Sequence, residues 1–288
     1  MSRRAILTLD APSARGQVAA VATLLERHGA YIEAFNVFDD TLSQRFYLRA
    51  VCRLPVPAVD GPGLAPLREE HARLCADMRG AAGALHDMAQ RPRVLLMVSR
   101  TDHCLRELIA QWRHGDLAMD IAGVVSNHAD LAPLVAAEGL PYHHIPVTAD
   151  TKPQAEAALE RLIADEQVEF VVLARYMQVL SEDFCTRHAG RVINIHHSFL
   201  PGFKGARPYA QAHARGVKLI GATAHFATAD LDEGPIIEQE LERVDHGYSP
   251  EALQSTGRHI ESLVLCRALR ALIERRVFVN GLRTVVLA

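Results

Sequence analysis

Apolar and polar residues follow two different periods in the first 90 positions of the chain. An apolar run at 5–9 and apolar residues at helical spacing over 18–25 predict a strand followed by a helix. The runs YIEAFNVFDD and TLSQRFYLRAVCRL, at 31–54, predict a hairpin. A second helix over 67–78 and a short strand around His86 complete the order βαββαβ. This order is typical of a ferredoxin-like domain.

The pattern changes near Arg91–Arg93, where proline favours extended backbone, so we expect a linker at 86–92 between domains at 1–85 and 93–288. The runs VLLMVS, IAGVVS, HHIPV and FVVLAR then alternate with helical segments, which indicates βαβ units and a parallel sheet. VINI, GATAHF and PIIEQELERV predict further strands, and Ser249 begins a long helix. The expected fold class is α/β, with the ferredoxin-like domain followed by an open, mostly parallel Rossmann-like domain.

Composition narrows the choice of partners and compartment. The 288 residues are 49% hydrophobic and 23% charged, which is typical of a globular protein with a sizeable core. The formal net charge of -3 offers no basic excess, so nucleic acid is a poor partner. Five scattered cysteines without a CxxC pair favour a reducing cytoplasm, and no apolar run has the length of a membrane span.

Polar side chains are concentrated where the predicted strand VINI ends, in VINIHHSFLPGFKGARPYAQ at 192–211. Ligands of parallel α/β sheets bind beyond the carboxyl ends of the strands. Because strand residues two apart share a face, Asn194 and His196 are expected to converge, and His197 is expected to turn away. The alternative is an asparagine that ties down the loop and a histidine satisfied in a turn.

A second polar strand end follows in GATAHFATADLDEGPII, which contains His225 and Asp232. A carboxylate near an imidazole orients the ring and favours its charged form, and a charged histidine beside an asparagine amide can stabilise an oxyanion. If each residue is considered alone, the simpler interpretation is that Asp232 belongs to an Asx turn and that His225 is a core histidine. Together with Asn194 and His196, they indicate carbonyl chemistry without a nucleophilic side chain.

The motifs NIHHSFLP, FKGARPY, GATAHF and LDEGPII resemble the family of formyltransferases that use 10-formyltetrahydrofolate. DHCL, SNHADL, LARYMQVLS and VDHGYSPE are similar to the formyltetrahydrofolate deformylases, whose N-terminal part is an ACT domain. The resemblance implies catalytic roles for Asn194, His196 and Asp232 and a supporting role for His225. It also implies a pterin pocket formed largely by backbone groups of Arg175, Tyr176, Met177, Gln178, Val179 and Leu180, a segment that is otherwise an ordinary strand-to-helix turn.

The implied reaction is hydrolysis of 10-formyltetrahydrofolate to formate and tetrahydrofolate, which feeds formate to purine synthesis and balances one-carbon pools, with no cofactor and no metal. Relatives that formylate a phosphorylated amine carry a glycine-rich loop after the first strand of this domain, because bare backbone amides cradle phosphate. Here the turn is VSRTDHCLREL, which has no glycine, so water is the expected acceptor. Arg100 leaves an anionic amine acceptor open as an alternative.

Two other functions compete with this interpretation. His196, His197, His225 and Asp232 are residue types that bind zinc, as in a metal-dependent amide hydrolase, although no HExxH or cysteine-rich spacing supports a site. A folate or amino-acid binding regulator without catalysis is the second alternative.

The resemblance implies a role for the N-terminal domain as well. ACT domains pair with copies of themselves and bind small amino acids, which implies a homodimer or homotetramer and an effector such as glycine or methionine. The first turn, LDAPSARGQVAAV, lacks the Pro-Gly step common in relatives. A structural, dimer-forming role is therefore expected ahead of amino-acid sensing.

Overall fold

The computed structural model describes residues 2–55, 64–202 and 208–288. The chain divides into two compact units. The first contains Met1–Arg91, Glu274–Asn280 and Val285–Ala288, and the second contains Pro92–Ile273 and Gly281–Thr284. The motif FKGARPY falls mostly on 203–207, outside the described residues.

The first unit has the predicted ferredoxin-like architecture. Its elements are β1 (Ser2–Pro12), α1 (Gln17–Arg27), β2 (Tyr31–Asp40), β3 (Arg45–Pro55), α2 (Ala65–Asp77) and β4 (Ala82–Asp87). The strands form an antiparallel sheet in the order β2-β3-β1-β4. Alternating residues such as Leu7, Leu9 and Leu48 point to one face, where they pack with Leu24 and Leu25 of α1.

The second face of β3 is also buried, by residues far along the chain. The ring of Tyr47 lies 5.4 Å from that of Phe278, and Arg49 Nε donates to the carbonyl oxygen of Glu274 at 2.8 Å. Residues 274–280 therefore belong to the first unit, although the apolar pattern placed the whole of 93–288 in the second domain. A pattern along the chain does not show that the terminus returns to cover an earlier strand.

The boundary predicted at residue 85 also differs from the structure. Strand β4 continues to Asp87, which pairs with β1 and forms an ion pair with Arg3. Only Leu85 and Asp87 of β4 are buried, so the apolar pattern was too weak to show where this strand ends.

The second unit contains the elements of a doubly wound domain. These are β5 (Arg93–Val98), α3 (His103–His114), β6 (Asp120–Ser126), α4 (Ala132–Ala137), β7 (Tyr142–His144), α5 (Lys152–Asp165), β8 (Phe170–Leu173), α6 (Glu182–Arg187), β9 (Val192–His196), α7 (Pro208–Arg215), β10 (Leu219–Phe226), β11 (Ile236–Arg243) and α8 (Pro250–Ile273). A hairpin of β12 (Val277–Asn280) and β13 (Arg283–Val286) follows. None of the helices described is both long and apolar enough to cross a membrane.

The large sheet places the ends of its parallel strands at one edge. Its order is β11-β10-β9-β8-β5-β6-β7, parallel from β9 to β7 and antiparallel at β10 and β11. The chain leaves β5 toward β6 on one side and returns at β8 on the other, which opens a crevice beyond the carboxyl ends of β5 and β8. The predicted α/β fold class is confirmed.

Candidate active site

Strand β9 and its antiparallel neighbour β10 bring three of the predicted side chains together. Asn194 and His196 are two apart on β9 and both line one cleft, as alternation requires. His225 on β10 stands directly opposite Asn194 in the register, so the two side chains share a face of the sheet. The Nδ2 atom of Asn194 lies 3.2 Å from Nε2 of His225.

Asp232 reaches the same point from the loop between β10 and β11. Its Oδ2 lies 3.1 Å from Nδ1 of His196, and its Oδ1 lies 3.6 Å from Nε2 of His225. The loop can close this tightly because residue 234 is glycine: a Cβ there would lie 1.7 Å from the carbonyl oxygen of Phe226. Asp232 itself adopts a φ of 60°, a left-handed conformation that aspartate tolerates better than most residues.

The electrostatics of the loop keep the Asp232 carboxylate charged. Burial raises the pKa of this carboxyl, but the hydrogen bonds and charges of His196 and His225 outweigh the burial, so the pKa lies well below its usual value. Asp232 is therefore an acceptor toward both imidazoles at neutral pH.

Hydrogen bonds leave ring and amide atoms available to a ligand. His225 donates from Nδ1 to the carbonyl oxygen of Phe226 at 2.9 Å, and its Nε2 lies between the Asn194 amide, at 3.2 Å, and the Asp232 carboxylate, at 3.6 Å. The second N–H of the Asn194 amide remains available to a ligand. His196 is only 5% exposed, and its Nε2 atom is buried and bonded to no described residue. Such an atom is costly unless a ligand completes its hydrogen bond.

Asn194, His196 and Asp232 line a cleft of about 700 Å³. Its lining residues come from the end of β9, from the loops after β8, β9 and β10, and from the segments that open α7 and α8: Arg175, Tyr176, Met177, Gln178, Val179, Asn194, Ile195, His196, His197, Tyr209, Ala210, Leu231, Asp232, Pro250, Glu251 and Gln254. The volume is that of a site for a cofactor-sized or drug-sized molecule.

The predicted pterin segment follows β8 and forms one wall of the cleft. Ser99, after β5, fixes this wall: its N–H donates to the carbonyl oxygen of Arg175 at 3.2 Å, and its Oγ accepts from the N–H of Met177 at 2.9 Å. Residues 175–179 line the cleft, but Leu180 does not. Leu180 lines a separate small cavity instead, because the segment turns toward α5 there and Leu180 packs on the core.

The structure corrects the expectation that His197 turns away from the site. Its ring stacks on that of His196, with centroids 4.7 Å apart and planes inclined by 24°, and it lines the same cleft. Strand β9 ends at His196, so the alternation of side chains stops before His197. Arg175 Nη1 lies 2.8 Å from Nδ1 of His197 and holds the ring in place.

A buried glutamate behind the cleft was missed by the sequence reasoning. Glu261 on α8 is 1% exposed and accepts from Tyr209 OH at 2.7 Å; its other oxygen lies 2.8 Å from Nε2 of His103 and 3.4 Å from Nε of Arg175. Burial raises the pKa of Glu261, but His103, Arg175 and Tyr209 together hold it below its usual value. A charged residue at a position where the helical period demands an apolar one, between Ile260 and Val264, was the available signal.

Polar side chains occupy the turn after β5, as its sequence predicts. Helix α3 begins at His103, and Asp102 precedes it with its carboxylate 2.5 Å from Nε of Arg106. The His103 ring is paired with Glu261. Two carboxylates therefore lie near the start of α3, where a phosphate-binding helix would present free N–H groups.

Comparison with known proteins identifies the family. A family model described as formyl transferase matches residues 92–269. The formyltetrahydrofolate deformylase of Corynebacterium sp. (strain P-1) is 46% identical to this chain, over 99% of it and 98% of its own length. The chain belongs to the formyltetrahydrofolate deformylase family. The resemblance predicted from the motifs is thus confirmed.

Solved structures agree with this assignment to the deformylase family. A formyltetrahydrofolate deformylase from Burkholderia mallei ATCC 23344 has 57% identity and a TM-score of 0.92, with 99% of each chain covered. A glycinamide ribonucleotide transformylase from Symbiobacterium toebii has 30% identity and a TM-score of 0.65, and covers 69% of this chain and 95% of its own. The likeness to the deformylases includes the N-terminal unit. The matched family model begins at residue 92, so the ACT-like assignment of the first unit remains a prediction.

Proposed function

We propose that this protein hydrolyses 10-formyltetrahydrofolate to formate and tetrahydrofolate. The observation that carries the proposal is the meeting of Asn194, His196 and Asp232 in the lining of one cleft, where a charged carboxylate contacts an imidazole and the space is large enough for a folate. Membership of the deformylase family gives the same reaction.

The geometry supports a direct attack of water on the formyl carbon. Asp232 positions the water and takes one of its protons as the C–O bond forms, while the Asn194 amide and the His196 imidazolium hold the oxygen that becomes negative. The same proton then passes to N10 as the C–N bond breaks, and formic acid leaves and gives its proton to solvent to become formate. The low pKa of Asp232 keeps its carboxylate charged, which is the form that can hold the water by a hydrogen bond.

Water is favoured over a phosphorylated amine by the start of α3. Asp102 and Glu261 both carry negative charge near that helix terminus, where His103, the first residue of the helix, pairs with Glu261. A phosphate there would meet two carboxylates instead of a row of N–H groups. The Arg100 side chain is exposed and is the group that an anionic acceptor would have to use.

The folate is expected to enter between the loop after β8 and the loop that carries Asp232. Backbone groups of residues 175–179 would bind the amide-like edge of the pterin, with the exposed side chains of Met177 and Val179 against its faces. No cofactor beyond the substrate is part of the proposal.

The first unit is proposed to have an oligomeric role. An ACT-like sheet whose edge strand β2 exposes Tyr31, Val37 and Phe38 suits pairing with another copy as a homodimer or homotetramer. A glycine or methionine effector would belong to that unit. The five cysteines are free and buried, which suits a reducing cytoplasm.

One assay separates the proposed function from its alternatives. The full-length chain is incubated with 10-formyltetrahydrofolate, with and without amine acceptors and with and without a chelator, and formate and tetrahydrofolate are followed. Equal amounts of both products in water alone, unchanged by the chelator, are expected. Product formation only with an amine would support formyl transfer, loss with the chelator a metal hydrolase, and folate binding without turnover a regulator.

A further inference from the structure

The stacked imidazole of His197 has no role in the reaction as described so far. Its ring lies against that of His196, lines the same cleft, and keeps Nε2 buried and bonded to no described residue. Nε2 of His196 has the same character. Two adjacent imidazoles that line the cleft thus each carry a buried ring nitrogen that is bonded to no described residue.

The hydrogen bond to Arg175 fixes which ring nitrogen of His197 carries the hydrogen. A guanidinium only donates, so Nδ1 of His197, 2.8 Å from Arg175 Nη1, must accept and bears no hydrogen. A neutral ring in that arrangement carries its hydrogen on Nε2. The unpaired nitrogen of His197 is therefore a donor.

The surroundings keep His197 neutral. Burial and the positive charges of Arg175 and His196 lower the pKa of His197 to about 4, while Glu261 and Asp232 raise it without compensating. Tyr209, whose ring centroid lies 6.5 Å away, stays protonated because burial and Glu261 raise its pKa. His197 can then donate at neutral pH as a neutral ring, whereas His196 must be doubly protonated to donate from Nε2.

Glu261 and Arg175 form the support behind this ring. Arg175 adopts a φ of 67°, which is unfavourable for a residue with a Cβ, and its guanidinium is anchored on the buried Glu261 carboxylate. His103 and Tyr209 hold that carboxylate from two further elements. The ring thus has a fixed orientation before any ligand binds.

We propose that His197 is a further catalytic residue, which donates a hydrogen bond from Nε2 to the formyl oxygen beside His196, with Arg175 and Glu261 as its positioning residues. The inference rests on the proposed hydrolysis. The formyl oxygen is the productive acceptor because it gains negative charge, whereas a donor to the attacking water would weaken the nucleophile. Rings whose centroids are 4.7 Å apart can both bring an N–H within about 2.9 Å of one oxygen.

Turnover of three variants tests the donor. His197→Leu is expected to lower kcat about 100-fold or more, the usual cost of one oxyanion donor. His197→Gln, whose amide N–H can extend toward the same place, should stay within about ten-fold of the parent. His188→Leu is the matched control: His188 is also buried with an unpaired ring nitrogen, but it faces Glu160 away from the cleft, and its variant should keep the parent kcat.

The tautomer is tested by ¹⁵N NMR of the full-length chain with labelled histidine, with the His197 signals assigned by their absence in His197→Gln. Hydrogen on Nε2 alone at pH 7 is expected, and Arg175→Met should give a mixture of tautomers, a change that a merely structural role would not produce. Glu261→Gln should also reduce the share of His197 rings with hydrogen on Nε2, but by less than Arg175→Met does.

Either of two results would overturn the proposal: parent-like kcat in a folded His197→Leu chain, or a His197 ring with hydrogen on Nδ1. A parent chain that releases no formate refutes the proposed function instead, and the ring-nitrogen spectrum then still decides whether His197 is the fixed donor.

Discussion

Two clusters of polar side chains lie at strand ends of the large sheet, and they differ in whether their side chains satisfy one another. After β5 and β6, Ser99 Oγ donates to Asn127 Oδ1 at 2.7 Å, and Ser126 Oγ donates to the Ser99 carbonyl at 3.3 Å. After β9, His196 and His197 each keep a buried ring nitrogen that is bonded to no described residue.

The difference separates a scaffold from a site. A buried polar atom without a partner costs about 1–3 kcal/mol, so two such atoms on adjacent rings that line a cleft indicate a place where a ligand completes the hydrogen bonds. The serine and asparagine cluster has no such atom and instead holds the wall of the cleft through Met177. Position at the end of a parallel strand is therefore not sufficient to mark a reacting group.

The largest effect is expected from Asp232→Asn. An amide of the same shape cannot take a proton from water, and it no longer holds His196 by charge, so kcat should fall about 1000-fold or more, near the upper range for a lost base. Formate release under single-turnover conditions measures the effect, and tetrahydrofolate binding should persist.

The matched control for this change is Asp230→Asn. Asp230 is exposed on the same loop, two positions before the reacting carboxylate. Its variant should keep the parent rate. Equal losses in the two variants would mean that the loop, and not the carboxylate at position 232, is what the reaction needs.

The second largest effect is expected from Asn194→Ala. Loss of one oxyanion donor should lower kcat by about 100- to 1000-fold while folate affinity changes little, because the amide acts on charge that develops only in the transition state. Steady-state kinetics and equilibrium binding of tetrahydrofolate provide the two values. Turnover at the parent rate would remove Asn194 from the mechanism.

Much of this site was predictable from local rules. The two-residue period of β9 brought Asn194 and His196 to one face, and the elements of both units appeared in the predicted order. Prediction failed where local periodicity ends: His197 lies one residue beyond the strand, so its direction is set by stacking and by Arg175.

Long-range contacts account for the remaining differences. Glu261 is 86 positions beyond Arg175, and no rule of spacing links a helix position to a loop that its carboxylate will meet. Likewise, residues 274–280 cover β3 after more than 200 intervening positions, which the apolar pattern of either segment does not encode. The contact of Asp232 with His196 was inferred from chemistry, because the loop conformation depends on close approach at Gly234.

A smaller effect is expected from His225→Leu, and it is a shift in pH dependence. Removal of this ring takes away one hydrogen bond that lowers the pKa of Asp232, so that pKa should rise. The carboxylate is the active form, and activity is lost as pH falls through its pKa; a higher pKa therefore moves the acidic limb of kcat/KM to higher pH. We expect about a ten-fold loss at pH 7, because Asn194 also loses its partner.

His225→Gln is the control for this shift, since its amide can still donate toward Asp232. The acidic limb should then lie between those of the parent and His225→Leu. An acidic limb that is identical in all three chains would show that His225 supports Asn194 alone and leaves Asp232 untouched.

The smallest effect on turnover is expected from Asn127→Ala, which changes the other strand end. This variant leaves the buried Ser99 hydroxyl without its acceptor and should lower the free energy of unfolding by about 1–3 kcal/mol, with kcat within a few-fold of the parent. Urea unfolding and formate release measure the two quantities.

Asn194→Ala should show the reverse pattern, with near-parent stability and a large loss of kcat, because its amide lies on the cleft and its partner His225 keeps a second hydrogen bond to Phe226. If both asparagines changed the same quantity, unpaired atoms would not distinguish the reacting end of this sheet from the supporting one.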